Sequence, residues 1–179
     1  MISLTPARYL GRRVALIGTA LAALCVGAAG VLGAQAGADD KSRLPDGVFP
    51  VRGKHQYWDG FGAGRGHTGQ DIGARCGTRI EAAQTGRVVE VARDGSGYGN
   101  YAIVNVKDAN RANFYAHMKR RAKVGKGDRV RAGQGLGRVG ESGNATGCHL
   151  HFEYWRGDWP GGHPTAKVTR VLRYWDRNS

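Results

Sequence analysis

Five residues carry side chains that together could hold a metal ion and move protons: His67, Asp71, His117, His149 and His151. His67 and Asp71 lie four apart in GHTGQDIG, and on an extended strand positions i and i+4 share a face. Gly69 falls between them on that face and has no side chain to obstruct a shared ligand. His149 and His151 lie two apart in TGCHLHFEYW, a run that alternates with apolar and aromatic residues, so both imidazoles point the same way. His117 closes FYAHM at the end of another strand-like run. Singly these signals are weak, because a His–Asp pair is usually a solvated surface pair and a lone strand histidine is usually structural. Together they gain weight. A catalytic zinc takes three nitrogen or oxygen ligands and leaves a position for water. The His67–Asp71 pair and one histidine of the His-x-His pair make three. Two histidines remain, and hydrolysis uses two: one takes a proton from the activated water, the other hydrogen-bonds an oxyanion or protonates the leaving group.

Such residues need strands to position them. The chain has 30 glycines, is 41% hydrophobic and shows no long helical periodicity after residue 40. β-branched and aromatic alternation bounded by glycines predicts strands near 56–61, 69–73, 79–82, 86–93, 100–106, 112–118, 135–139 and 148–155. ARDGSGYGN reads as a hairpin turn carrying Asp-Gly. No repeat of solenoid length is present. Residues 39–48, DDKSRLPDGV, read as a linker, 49–165 as the domain, and 166–179 as a basic tail. The tail, with Arg170, Arg173 and Arg177, is expected to be a short final strand or a frayed end. Glu153 continues the face of His149 and His151. It is expected to be a partly exposed strand residue rather than a carboxylate orienting a histidine. Asn100 and Tyr115 are candidates to line a groove. His55 and His163 read as surface residues, and Trp155, Trp159 and Trp175 as packing residues.

Residues 1–38 have the layout of an export signal. Arg8, Arg12 and Arg13 precede an uncharged run of 21 residues, Val14 to Ala34, followed by small-residue sites and Asp39-Asp40. The run is long enough to span a bilayer, so it is either a cleaved signal peptide or a retained anchor. Both place the rest of the chain outside the cytoplasmic membrane, secreted or in the cell envelope, with the arginines inside. Leu24 before Cys25 excludes a lipoprotein signal there. The chain carries a formal charge of +13. Without residues 1–38 it keeps 24 basic and 14 acidic side chains, a charge of +10. That charge suits an anionic partner, but no nucleic-acid-binding signature is present. Cys76 and Cys148 then remain, an even pair in an exported chain, which favours a disulfide.

HTGQD, FYAHM and TGCHLHFE, in that order, with VGKGDRVRAGQGLGRVG before the last, resemble the lysostaphin/LytM-type zinc metallopeptidases. SGYGNYAIV and CGTRIEAAQTGRVV fit the same pattern, so the resemblance covers roughly residues 49–155. It implies a mostly β fold: an antiparallel β-sheet domain with a substrate groove over one zinc. Carried over by motif, His67, Asp71 and His151 are the zinc ligands, and His117 and His149 the catalytic histidines that do not bind it. His149 is expected to be the general base and His117 the oxyanion partner, with the roles open to exchange. Gln70 departs from the family, which usually has an apolar residue before the Asp, and Cys148 stands where proline is common. A Cys76–Cys148 bond would tie two metal-bearing strands together.

The expected function is cleavage of peptide bonds in the stems or cross-bridges of bacterial peptidoglycan. The expected partners are peptidoglycan and anionic wall polymers, with no nucleic acid. Membrane contact is expected only through a retained Val14–Ala34 anchor, and the chain is expected to be a monomer. The rival reading is a catalytically silent module of the same fold that grips peptidoglycan or activates another hydrolase. A carrier domain of the biotinyl/lipoyl type would explain VGKGDRVRAGQGLGRVG but lacks a modifiable lysine on a tight turn and leaves the histidines unexplained.

Overall fold

A computed structural model describes residues 44–64 and 66–179. The expected signal or anchor, 1–38, and residues 39–43 of the expected linker lie outside them. Eleven strands run in chain order: β1 (Val51–Arg52), β2 (His55–Tyr57), β3 (Gln70–Ala74), β4 (Arg79–Glu81), β5 (Gly86–Asp94), β6 (Gly99–Val106), β7 (Arg111–Met118), β8 (Arg129–Val130), β9 (Gly135–Arg138), β10 (His149–Arg156) and β11 (His163–Pro164). Among the described residues one helix, α1 (Val168–Asn178), follows these strands. All eight expected strands have counterparts, the first of them shorter and ending at Tyr57. The two-residue strands β1, β8 and β11 were too short to leave an alternation pattern.

Every pairing is antiparallel. The larger sheet runs β2-β3-β10-β7-β6-β5-β8, with β11 on β10, and the smaller runs β1-β4-β9. Period-2 alternation gives the larger sheet two distinct faces. Ile72 of β3, Tyr115 of β7 and Leu150, Phe152 and Tyr154 of β10 enter the main core, with Ile80, Leu136 and the helix. The alternate residues, Asp71 on β3 and His149, His151 and Glu153 on β10, face the other way. On that face Phe114 and Ala116 of β7 join a smaller apolar cluster with Tyr98, Tyr101, Trp155 and Trp159. Among the described residues no helix is long and apolar enough to cross a membrane.

The C-terminal segment is neither a strand nor a frayed end. Val168, Val171, Leu172 and Trp175 recur at helical spacing and are all buried, so α1 docks an apolar stripe on the sheet while its arginines stay outside. Trp175 is fully buried and donates Nε1–H to the Pro45 carbonyl at 2.8 Å. Leu44 packs against the core and Val48 N–H bonds Ala83 O, so residues 44–48, read as linker, lie against the domain.

Candidate functional site

The centre of the site is set by one pair of neighbouring strands. His151 on β10 is the cross-strand partner of Asp71 on β3, and its Nδ1 lies 2.9 Å from Asp71 Oδ1. His67 is not on the strand with Asp71, as the spacing suggested, because β3 begins at Gln70. It reaches in from a loop held by Gly62 N–H on the His67 carbonyl and His67 N–H on the Ala63 carbonyl. Its Nε2 is 3.0 Å from Asp71 Oδ1 and 2.9 Å from His151 Nδ1. Gly69 makes room: a Cβ there would lie 2.6 Å from the Phe152 carbonyl and 2.8 Å from the His151 ring. The open position between His67 and Asp71 is filled by the third donor's imidazole.

Outer partners fix which ring nitrogen carries hydrogen. His67 Nδ1 lies 2.9 Å from the Gly60 carbonyl, which only accepts, so Nδ1 is the donor and Nε2 offers its lone pair inward. His151 Nε2 donates to Glu153 Oε1 at 3.0 Å, which turns Nδ1 inward. Two lone pairs and a carboxylate oxygen thus meet within 3.0 Å, an arrangement that needs a cation or a shared proton. The donor set suits zinc. Bonds near 2.0 Å at tetrahedral angles separate donors by about 3.3 Å, so small outward shifts accommodate the ion.

A proton can substitute for the ion. Burial opposes charging His151, but hydrogen bonds to Asp71 and Glu153 outweigh it and push its pKa up to about 9. Burial alone would raise Asp71 and Glu153, yet the bond from His151 holds each below the usual carboxylate range. In chelated protein, a raised His151 pKa contributes stability that is full below its ordinary value of about 6.5 and is lost as pH rises through 9. Zinc must displace that proton. Zinc added to chelated protein at about pH 7.5 in weak buffer is therefore expected to release about one proton per ion, read by an indicator dye. Release near zero would mean the inner nitrogen is already bare.

Glu153 corrects the reading from the sequence. It is fully buried, not partly exposed. Its Oε1 accepts from His151, from Tyr98 O–H at 3.1 Å and from Thr68 O–H, and its Oε2 from Trp155 Nε1–H at 2.6 Å. A buried carboxylate with four donors is an orienting group for His151. Tyr98 and Thr68 were not anticipated. Nothing in their local sequence distinguishes them from other turn residues, and only the fold brings them to Glu153.

The two remaining histidines stand beside the triad. His149 Nε2 is 3.7 Å from Asp71 Oδ1, and its ring centroid is 4.6 Å from that of His117. Strict alternation would send His117 to the core face with Tyr115. Instead β7 carries an extra residue: Asn100 pairs with Met118 and Ala102 with Tyr115, three steps on β7 against two on β6. His117 takes φ +57° there, and this bulge swings its ring onto the histidine face. His117 Nδ1 donates to Ser142 O and His149 Nδ1 to Gly147 O, both at 2.8 Å, so each presents its Nε2 lone pair to the cleft. Burial pushes the His117 pKa down to about 4, against the bond it donates to the Ser142 carbonyl. The ring is neutral at physiological pH.

A cleft of about 290 Å³ lies over these groups, lined by His67, Asp71, His117, His149, His151 and Tyr98 among others. A larger cleft elsewhere reaches 780 Å³, but none of these donors lines it, and chemistry rather than volume singles out the smaller one. Tyr115 and Asn100 do not line it. Tyr115 is in the main core with its hydroxyl accepting from Ala83 N–H, and Asn100 turns its amide to Met118 O. Trp58, 46% exposed, stands 5.6 Å from His149 and rests on Gly73, whose Cβ would overlap the indole.

The two departures noted in the sequence have local explanations. Gln70 is buried, gives its amide hydrogens to the carbonyls of Trp58, Asp59 and Asp71, and accepts from Thr169 of α1 at 2.7 Å. Cys76 and Cys148 are paired, their Cα atoms 5.2 Å apart, at the ends of β3 and β10 beside His149. His163 is exposed as expected. His55 is half-buried, its ring tilted against Phe49 with centroids 4.3 Å apart and its Nε2 3.2 Å from Asp176.

Residues 65–163 match the model of peptidase family M23. Over 90 residues, half of this chain, the sequence is 36% identical to a glycyl-glycine endopeptidase of Staphylococcus capitis and 39% identical to a peptidoglycan DD-endopeptidase of Vibrio cholerae. The matched stretch spans 25% and 20% of those proteins. The catalytic domain of the prophage-encoded M23 protein EnpA from Enterococcus faecalis superposes with a TM-score of 0.58 at 33% identity, covering 66% of this chain and 95% of that one.

Proposed function

The chain belongs to peptidase family M23, and from that premise we propose that it is an exported zinc-dependent endopeptidase that hydrolyses peptide bonds in bacterial peptidoglycan. The observation that carries the reading is that His67, His149 and His151 bring their inner nitrogens to within 3.7 Å of Asp71 Oδ1, with the His117 ring 4.6 Å from that of His149. His67, Asp71 and His151 would hold one zinc. When bound, zinc supplies a Lewis acid for the scissile carbonyl and brings the pKa of water towards about 7.

His149 is proposed as the general base. Its Nε2 is an acceptor as held, and the Gly147 carbonyl keeps the ring oriented while a proton arrives. His117 is proposed to face the oxyanion. Burial keeps its ring neutral with the hydrogen on Nδ1. To donate through Nε2 it must take up one proton from solvent, an uptake that the negative charge developing on the carbonyl oxygen would favour in addition to that of Asp71. Glu153 keeps His151 in the tautomer that faces the donors. The M23 relatives act on peptidoglycan by their names, and the basic charge and the reading of residues 1–38 support action outside the membrane.

The test is digestion of purified peptidoglycan, with mass spectrometry of the released fragments. New amino termini that vanish on chelation and return with zinc are the expected result, and they also name the bond. Tight zinc binding with no cleavage across several wall types would leave a binding or activating module instead.

A further inference from the structure

We propose a second binding site, a cationic cleft on the sheet face opposite the histidines that takes a phosphate-bearing polymer of the cell wall. The proposal rests on the wall-directed function only for where the ligand is met. The cleft measures about 720 Å³ and lies where β7 and β11 begin, β10 ends and α1 starts. Arg111, Arg156, His163, Lys167 and Arg170 line it, and among the described residues no aspartate or glutamate does.

Basic residues also face each other at Arg52–Arg79–Arg138 and Arg87–Arg129, where Arg79 is paired with Glu81, but here the register sets them along a cleft that no carboxylate lines. Arg156 is the cross-strand partner of Arg111 on one side and of His163 on the other, so basic side chains form a row across three strands. Like charges directly opposite each other destabilise a sheet, and packing does not require them at a strand end. An anion laid along the row removes the repulsion. Arg111 is already positioned: it donates to Tyr154 O–H and lies over that ring at 5.6 Å. Arginine forks grip phosphate and carboxylate oxygens alike, two at a time. A phosphodiester chain carries its charge in the backbone, whereas polyglutamate must also order a flexible side chain for each contact, and that favours the phosphate polymer. α1 starts at the cleft with no acidic residue in its first turn and no side-chain cap, so its positive end adds to the field. By alternation Arg156 shares the face of Phe152 and Tyr154, and His149 and His151 take the other. A polymer held here leaves the histidine cleft open, so the chain can be tethered while it cuts.

The experiment measures binding of a defined poly(glycerol phosphate) chain, and of polyglutamate of equal charge, to the chelated purified protein at physiological salt. The phosphate polymer is expected to bind about tenfold tighter than polyglutamate, the cost of ordering one or two flexible side chains. Arg156→Glu/Lys167→Glu is expected to weaken it by about tenfold or more, and Arg120→Glu/Lys123→Glu, the same charge change at exposed positions elsewhere, far less. If the first pair impairs folding by heat melting, Arg156→Gln/Lys167→Gln replaces it. Equal loss in both pairs, or equal binding of polyglutamate, would mean diffuse attraction by the whole basic surface and would overturn the site. Chelated protein has no hydrolytic step to read, so failure of the peptidase reading leaves this result unaffected.

Discussion

Zinc-loaded protein carrying His149→Ala or His117→Asn is expected to lose about 10²- to 10⁴-fold in peptidoglycan cleavage while binding zinc as tightly as the parent. Neither ring belongs to the 2.9–3.0 Å triangle of His67, Asp71 and His151, so the donor set survives both changes. His149→Ala removes the proposed base, so the proton of the attacking water has only solvent to receive it, and His117→Asn removes the ring proposed to face the oxyanion. Asparagine is chosen at 117 because that residue stands at φ +57°, where Asn is tolerated better than most side chains. The double variant should lose less than the product of the two single losses, because groups that serve one transition state are not additive. Single-turnover cleavage together with a competitive zinc titration makes the measurement. A matching loss of zinc affinity would move the histidine into the ligand set. Undiminished cleavage would remove it from the reaction.

The strands that carry the site were legible because each is half-buried, and period-2 alternation survives when one face meets a core. On β10 the alternation of His149, Leu150, His151 and Phe152 separates donors from core residues one by one. What escaped the sequence depends on contacts between distant segments. Glu153 looks like any strand glutamate until Thr68, Tyr98 and Trp155 are brought to it, and a carboxylate with those donors can be buried where a bare one cannot. His117 was singled out, but its strand parity pointed it into the core, and one extra residue in β7 reversed that. The helix was missed despite a readable signal. Val168, Val171, Leu172 and Trp175 fit a helical stripe, but the arginines between them read more loudly as a solvated tail.

The other large effect concerns stability rather than chemistry. Cys76→Ser is expected to cost about 4 kcal/mol, because the Cys76–Cys148 pair closes a loop with a sequence separation of 72 and a cross-link of that span removes much chain entropy from the unfolded state. For a domain of this size that is a fall of roughly 10–15 °C in Tm. Zinc affinity is expected to change far less. The alignment of Asp71 with His151 is already fixed by the β3–β10 ladder, four residue pairs long, and by the loop bonds around His67. The pair therefore acts on the whole fold and only secondarily on the metal. Differential scanning calorimetry of the chelated and zinc-loaded forms, for the parent, the reduced parent and Cys76→Ser, separates the two effects. A parent that melts with the variant would mean the bond does not form in the purified protein. A variant that keeps its Tm but loses zinc would make the pair a local brace of the site, because only a distortion confined to the start of β10, next to His149, could weaken the metal without loosening the fold.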